Sequence, residues 1–101
     1  MGSDRSKNRR TRAFKILYDA LPKEIQQLSE GSFELFLENP NHPSLRLHSL
    51  KDTKAGKHAE GSFSVSITMN YRAVYTIVDG INVWYWIGTH AQYKIFTGSR
   101  K

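Results

Sequence analysis

The chain has 101 residues, 39% of them hydrophobic, which suits one domain with a modest core. It contains no cysteine, which excludes disulfides and thiol catalysis, and no apolar run approaches the ~18 residues a membrane helix needs. The net charge of +6 points to a polyanion or an acidic protein as partner.

Residues 1–12 carry Arg5, Lys7, Arg9, Arg10 and Arg12 against Asp4 alone, with nothing apolar after Met1. Residues 1–10 therefore read as a basic flexible arm, able to touch phosphates without sequence preference. No apolar segment follows the basic start, unlike a secretory signal, and the missing cysteines fit a reducing cytoplasm. Residues 11–96 read as a single domain and 97–101 as a tail.

Thr11 is placed to cap a first helix. Phe14, Leu17, Tyr18 and Leu21 then follow at spacings of three and four, one face of a helix. Pro22 breaks it and opens a second helix over residues 23–38. Gly31-Ser32 in its middle weakens that helix by about 1 kcal/mol relative to alanine, and offers a point of close packing on the first helix. Asn39-Pro40 ends it, because a residue before proline avoids the helical region. Two helices so joined form a hairpin that can cover one face of a sheet.

Pro43 lies in a turn over residues 41–44. Residues 45–51 are candidates for an extra strand, and residues 52–61 read as a polar surface loop. From Ser62 the pattern alternates: Phe63, Val65, Ile67 and Met69 on one face, and Ser62, Ser64, Ser66, Thr68 and Asn70 on a wet face. Residues 71–78 suit a central strand. Asp79-Gly80 predicts a type I′ hairpin, with residues 81–87 returning. That register sets Val78 against Ile81 and Arg72 against Ile87, so Arg72 and His90 become neighbours. Tyr93, Ile95 and Phe96 follow in a short helix or an extended tail.

Several of these stretches together resemble one family. Thr11-x-x-Phe14-x-x-x-Tyr18-x-x-Leu21-Pro22-x-x-Ile25-Gln26 is similar to the opening helices of the RelE/ParE toxin superfamily of bacterial toxin–antitoxin systems. So are Phe36-Leu37-x-Asn39-Pro40-x-His42-Pro43-Ser44-Leu45 and Leu50-Lys51. Tyr71-Arg72-x-x-Tyr75 and Ile87-Gly88-Thr89-His90-x-x-Tyr93 match the family's closing motifs. The resemblance is to RelE and YafQ-like members. It implies an α+β fold: an N-terminal helical hairpin packed on a twisted antiparallel sheet of three to four strands. It also implies the toxin of a type II pair, held by an acidic, partly disordered antitoxin. Many members cut messenger RNA, usually in the ribosome, with no metal or other cofactor; the ParE branch inhibits DNA gyrase.

RNA cleavage of that kind uses the ribose 2′-OH as nucleophile. The site must take its proton, stabilise the phosphorane and protonate the leaving 5′-oxygen. The resemblance makes Arg72 the phosphate-holding group, since its fork can grip two oxygens; a structural ion pair is the alternative. His90 is a candidate acid or base because imidazole titrates near neutrality, or else it caps the last strand. Tyr93 could stack a base or bond a phosphate, or simply pack the tail. Lys51, Lys54 and Lys57 would steer RNA, with Arg46 and His48 beside them, and His48 is a weaker acid–base candidate. His42 reads as structural and His58 falls in the basic loop; no pair of histidines has compact metal-ligand spacing.

The sequence departs from the family in two places. The strand before Tyr71-Arg72 carries no lysine or histidine, Ser66 standing roughly where YafQ-like members have histidine. The family's first strand looks short or missing, since residues 7–10 hold no apolar side chain. A non-catalytic relative acting by protein binding, or a member without toxicity, is therefore the alternative.

Overall fold

The computed structural model describes residues 5–51 and 56–98. A three-residue strand, β1 (Asn8–Arg10), leads directly into helix α1 (Arg12–Asp19). Thr11 is the N-cap: its hydroxyl accepts the Phe14 N–H at 3.1 Å, satisfying a donor the helix leaves open. Pro22 stands at the N-cap of α2 (Lys23–Glu38), where its missing N–H costs nothing. Asn39, extended ahead of Pro40, ends that helix. A 3-10 turn at Pro43–Leu45 follows, capped by His42, whose Nδ1 accepts the Ser44 N–H at 3.2 Å. Of residues 45–51 only β2 (His48–Ser49) is strand. Then come β3 (Ser62–Thr68), β4 (Tyr71–Val78), β5 (Ile81–Thr89) and α3 (His90–Phe96).

Among the described residues the sheet has five strands in the order β1-β5-β4-β3-β2. It is mixed: β1 runs parallel to β5 and the other pairings are antiparallel. The expected antiparallel sheet of three to four strands is thus too small, and part of the expected flexible arm is β1. Polar groups, not apolar ones, hold that strand. Asn8 Oδ1 accepts from Asn82 Nδ2 at 3.2 Å and from Trp84 Nε1 at 3.0 Å. Arg10 donates to both Glu30 oxygens at 2.9 and 3.0 Å.

The hairpin turn has φ 51° at Asp79 and 78° at Gly80, the positive pair of a type I′ turn, and Val78 faces Ile81. Farther along, Val74 pairs with Trp86 but Tyr75 with Trp84, leaving Tyr85 as the extra residue of a bulge. The bulge moves Arg72 from its expected partner Ile87 to Gly88.

One face of the sheet meets α1 and α2. There Phe14 and Phe36 pack on Val65, Ala73, Tyr75, Trp84 and Ile87, all buried. Gly31 is not a point of close approach, for a Cβ added there would meet nothing within 4 Å. The opposite face is not wet. Ser62 and Ser64 are 0% exposed and Ser66 6%. α3 and residues 56–59 cover it: Phe96 stacks on Trp86 at 4.7 Å, and the Lys57 N–H donates to the Phe96 carbonyl at 2.7 Å. The buried hydroxyls are satisfied within the chain, as burial requires. Ser62 bonds the Ala59 carbonyl at 2.6 Å, and Ser66 bonds the Thr68 carbonyl at 2.9 Å.

Candidate functional site

The site forms where α3 starts. Thr89 and Gln92 make a reciprocal capping box: Thr89 Oγ1 accepts the Gln92 N–H at 3.1 Å, and Gln92 Oε1 accepts the Thr89 N–H at 2.9 Å. The His90 N–H donates to the Asn70 carbonyl at 2.7 Å, tying the helix start to the turn between β3 and β4. One helical turn later Tyr93 points back over the sheet, 8% exposed.

Arg72 reaches this ring from β4. Its Cζ lies 5.1 Å from the Tyr93 ring centre, and its Nη1 donates to Ser64 Oγ at 3.3 Å. The guanidinium thus has an aromatic face on one group and a buried hydroxyl on another, both of which limit its swing. The His90 ring stacks with Tyr93, centroids 5.9 Å apart and 23° from parallel. His90 Nδ1 is buried and meets no hydrogen-bond partner among the described residues.

His48 completes the cluster from β2. Its Nε2 is 3.2 Å from the Tyr93 hydroxyl and its Nδ1 is 3.1 Å from the Arg46 carbonyl. A carbonyl only accepts, so Nδ1 carries the proton. In the neutral ring Nε2 then holds the lone pair and accepts the Tyr93 O–H. Arg46 is left-handed, with φ 47° and ψ 44°, which turns its carbonyl toward the imidazole.

Arg72, His90, Tyr93 and His48 are therefore brought together, His48 and Tyr93 from 45 residues apart. Arg46 enters through its carbonyl. Lys51 and Lys57 have exposed side chains, and the Lys51 carbonyl accepts from His58 Nε2 at 2.7 Å. Lys54 lies outside the described residues. Base stacking on Tyr93 is not open in this arrangement, because the ring is buried and faces Arg72 and His90. Ser64 was expected on a wet face. Strand alternation does set it on the Arg72 side, the one signal that could have found it. Among the described residues no three His, Asp or Glu side chains come close enough to hold a metal ion.

No protein-family model matches the sequence, and no curated protein matches it. Solved structures do. YafQ from E. coli strain BL21(DE3) superposes with a TM-score of 0.67 at 15% identity, over 90% of this chain and 97% of that one. The E. coli DinJ-YafQ toxin-antitoxin complex gives 0.65 at 14%, over 91% and 97%. The archaeal RelE-RelB complex from Pyrococcus horikoshii OT3 gives 0.64 at 11%, over 91% and 99%. The chain has the fold of YafQ and RelE. In this version of the RelE/YafQ fold the sheet keeps its first strand, β1, despite the lack of apolar residues there. Its β3 presents Ser64 and Ser66 beneath Arg72, and the Ser66 hydroxyl is spent on the Thr68 carbonyl. Among the described residues the imidazoles of this cluster come from β2 and α3, not from β3.

Proposed function

We propose that this chain is the toxin of a type II toxin–antitoxin pair and cleaves messenger RNA by metal-independent transesterification, in the cytoplasm and on the ribosome. Its partner is an acidic antitoxin. The similar structures include the DinJ-YafQ toxin-antitoxin complex and a RelE-RelB complex, and a net charge of +6 suits both an acidic protein and RNA.

The observation that carries the enzymatic reading is the convergence of a fixed guanidinium and two imidazoles on Tyr93. The 2′-oxygen attacks phosphorus and the bond to the 5′-oxygen breaks, leaving a cyclic phosphate and a 5′-hydroxyl. His48 takes the 2′ proton at Nε2 once the Tyr93 O–H rotates off that lone pair, while its Nδ1–H stays on the Arg46 carbonyl. Arg72 donates to the phosphorane oxygens, and His90 returns a proton to the leaving oxygen. Lys51, Lys54, Lys57 and Arg46 supply steering charge.

A second reading has one observation behind it. Strand β3 offers serines where catalytic relatives are expected to carry basic side chains, so the toxin could act by binding a protein such as gyrase. Induced expression in bacteria, with growth curves and primer-extension mapping of messengers, decides. Under the first reading the wild type arrests growth and cuts at discrete positions, and Arg72→Ala lowers cutting by at least ~100-fold with the fold intact. Arrest without cuts supports the protein-binding reading. Cutting that survives Arg72→Ala rejects the role given to Arg72.

A further inference from the structure

Tyr93 touches each of the three groups assigned to the chemistry, yet its own atoms face inward. Its ring is 8% exposed, with Arg72 Cζ 5.1 Å from its centre and the His90 ring 5.9 Å away. Its hydroxyl meets His48 Nε2 at 3.2 Å. Its carbonyl accepts the Thr97 hydroxyl and N–H, each at 2.9 Å, closing the helix beneath it. A residue that handled substrate directly would present the ring or the hydroxyl to solvent, and this one presents neither ring face freely.

We propose that Tyr93 is a positioning residue that aligns His48 through its hydroxyl and Arg72 through its ring, an inference that rests on the ribonuclease reading. Two contacts hold the imidazole, the Arg46 carbonyl at Nδ1 and the Tyr93 hydroxyl at Nε2. With only the first, the ring can still rotate about that bond. His48 sits on a two-residue edge strand and its side chain is exposed, so packing alone does not fix it. The phenol supplies the second point. When His48 takes a proton, Nε2 becomes a donor and the same phenol oxygen can accept it, so the partner serves both charge states.

The two parts of Tyr93 act on different groups and can be separated. Tyr93→Phe keeps the ring under Arg72 and removes only the bond to His48. It should lower kcat by about tenfold to a hundredfold and leave KM for an RNA substrate unchanged, since misplacing a catalytic group slows chemistry without weakening binding. Tyr93→Leu also removes the shelf under Arg72 and should raise KM as well.

The test uses the purified full chain. In a double-mutant cycle, the effect of Tyr93→Phe should vanish in a His48→Ala background. Additive losses, or a wild-type kcat for Tyr93→Phe, overturn the proposal. A second measurement does not depend on cleavage. The His48 ring nitrogen resonances, observed by NMR in wild type and Tyr93→Phe, should move at Nε2 while circular dichroism is unchanged. Unmoved His48 resonances overturn the positioning role, whatever the wild type does to RNA. A wild type that cuts no RNA, with His48 resonances that do move, rejects the ribonuclease reading and keeps the His48–Tyr93 coupling.

Discussion

Arg10 and Glu30, 20 residues apart in the sequence, are joined by two parallel hydrogen bonds of 2.9 and 3.0 Å. The same guanidinium lies 5.3, 5.3 and 5.2 Å from the ring centres of Phe14, Tyr18 and Phe33. A bidentate carboxylate pair set among aromatic rings is stronger than an ordinary surface ion pair. It is the pin that holds β1, which has no apolar side chain of its own. Arg10→Ala should lower stability by roughly 2 kcal/mol and raise amide exchange at Asn8 and Arg9 first. The side chains are 26% and 44% exposed, so high salt should weaken the pair only in part. Hydrogen exchange with and without the substitution checks this, and equal protection of β1 in both proteins rules the pin out.

Two phenols make stability sensitive to alkali. Burial pushes Tyr75 up from 10.0 to about 12. Burial, and then the neighbouring Glu30 carboxylate, push Tyr18 from 10.0 to about 12. Each folded value lies above the unfolded one, so the folded state holds its phenolic proton more tightly. Their contribution is full below pH 10 and is lost as pH rises toward 12. Denaturant unfolding across that window should show falling stability, and Tyr75→Phe should flatten the slope. A slope that is unchanged in Tyr75→Phe would show that its phenol is not responsible.

Two glycines make opposite predictions. Gly31 lies exposed inside α2, with open space where a side chain would go. Gly31→Ala should therefore stabilise the fold by about 1 kcal/mol, through helix propensity alone. Gly88 pairs with Arg72, and a Cβ there would stand 2.7 Å from Gln92 Oε1 and 2.9 Å from the Trp86 ring. Neither neighbour yields readily, because Gln92 closes the cap of α3 and Trp86 stacks on Phe96. Gly88→Ala should cost about 1–3 kcal/mol and loosen α3 with its histidine and tyrosine. Thermal melts of the two variants should move in opposite directions.

The local rules of the chain were enough for its local structure. Thr11 caps because its hydroxyl reaches a free N–H; Pro22 and Asn39-Pro40 stop helices because proline cannot continue one. Alternation from Ser62 and positive φ at Asp79-Gly80 produce the central strands and their turn. The tight hairpin also set Arg72 near the end of β5 where His90 follows, and the closing motif led to Tyr93.

What needed the tertiary structure depends on contacts between distant segments. β1 joins the sheet through Arg10 and Asn8, whose partners lie 20 and 74 to 76 residues away, and no periodicity records such bonds. The bulge at Tyr85 shifts the register by one residue and puts Gly88, not Ile87, across from Arg72. The serine face is dry because a seven-residue helix and residues 56–59 fold over it, and alternation states which side chains share a face but not what covers them. The pairing of His48 with Tyr93 is the plainest case. The closing motif singled out Tyr93 and side-chain chemistry singled out His48, and only the packing of α3 beside β2 sets one 3.2 Å from the other.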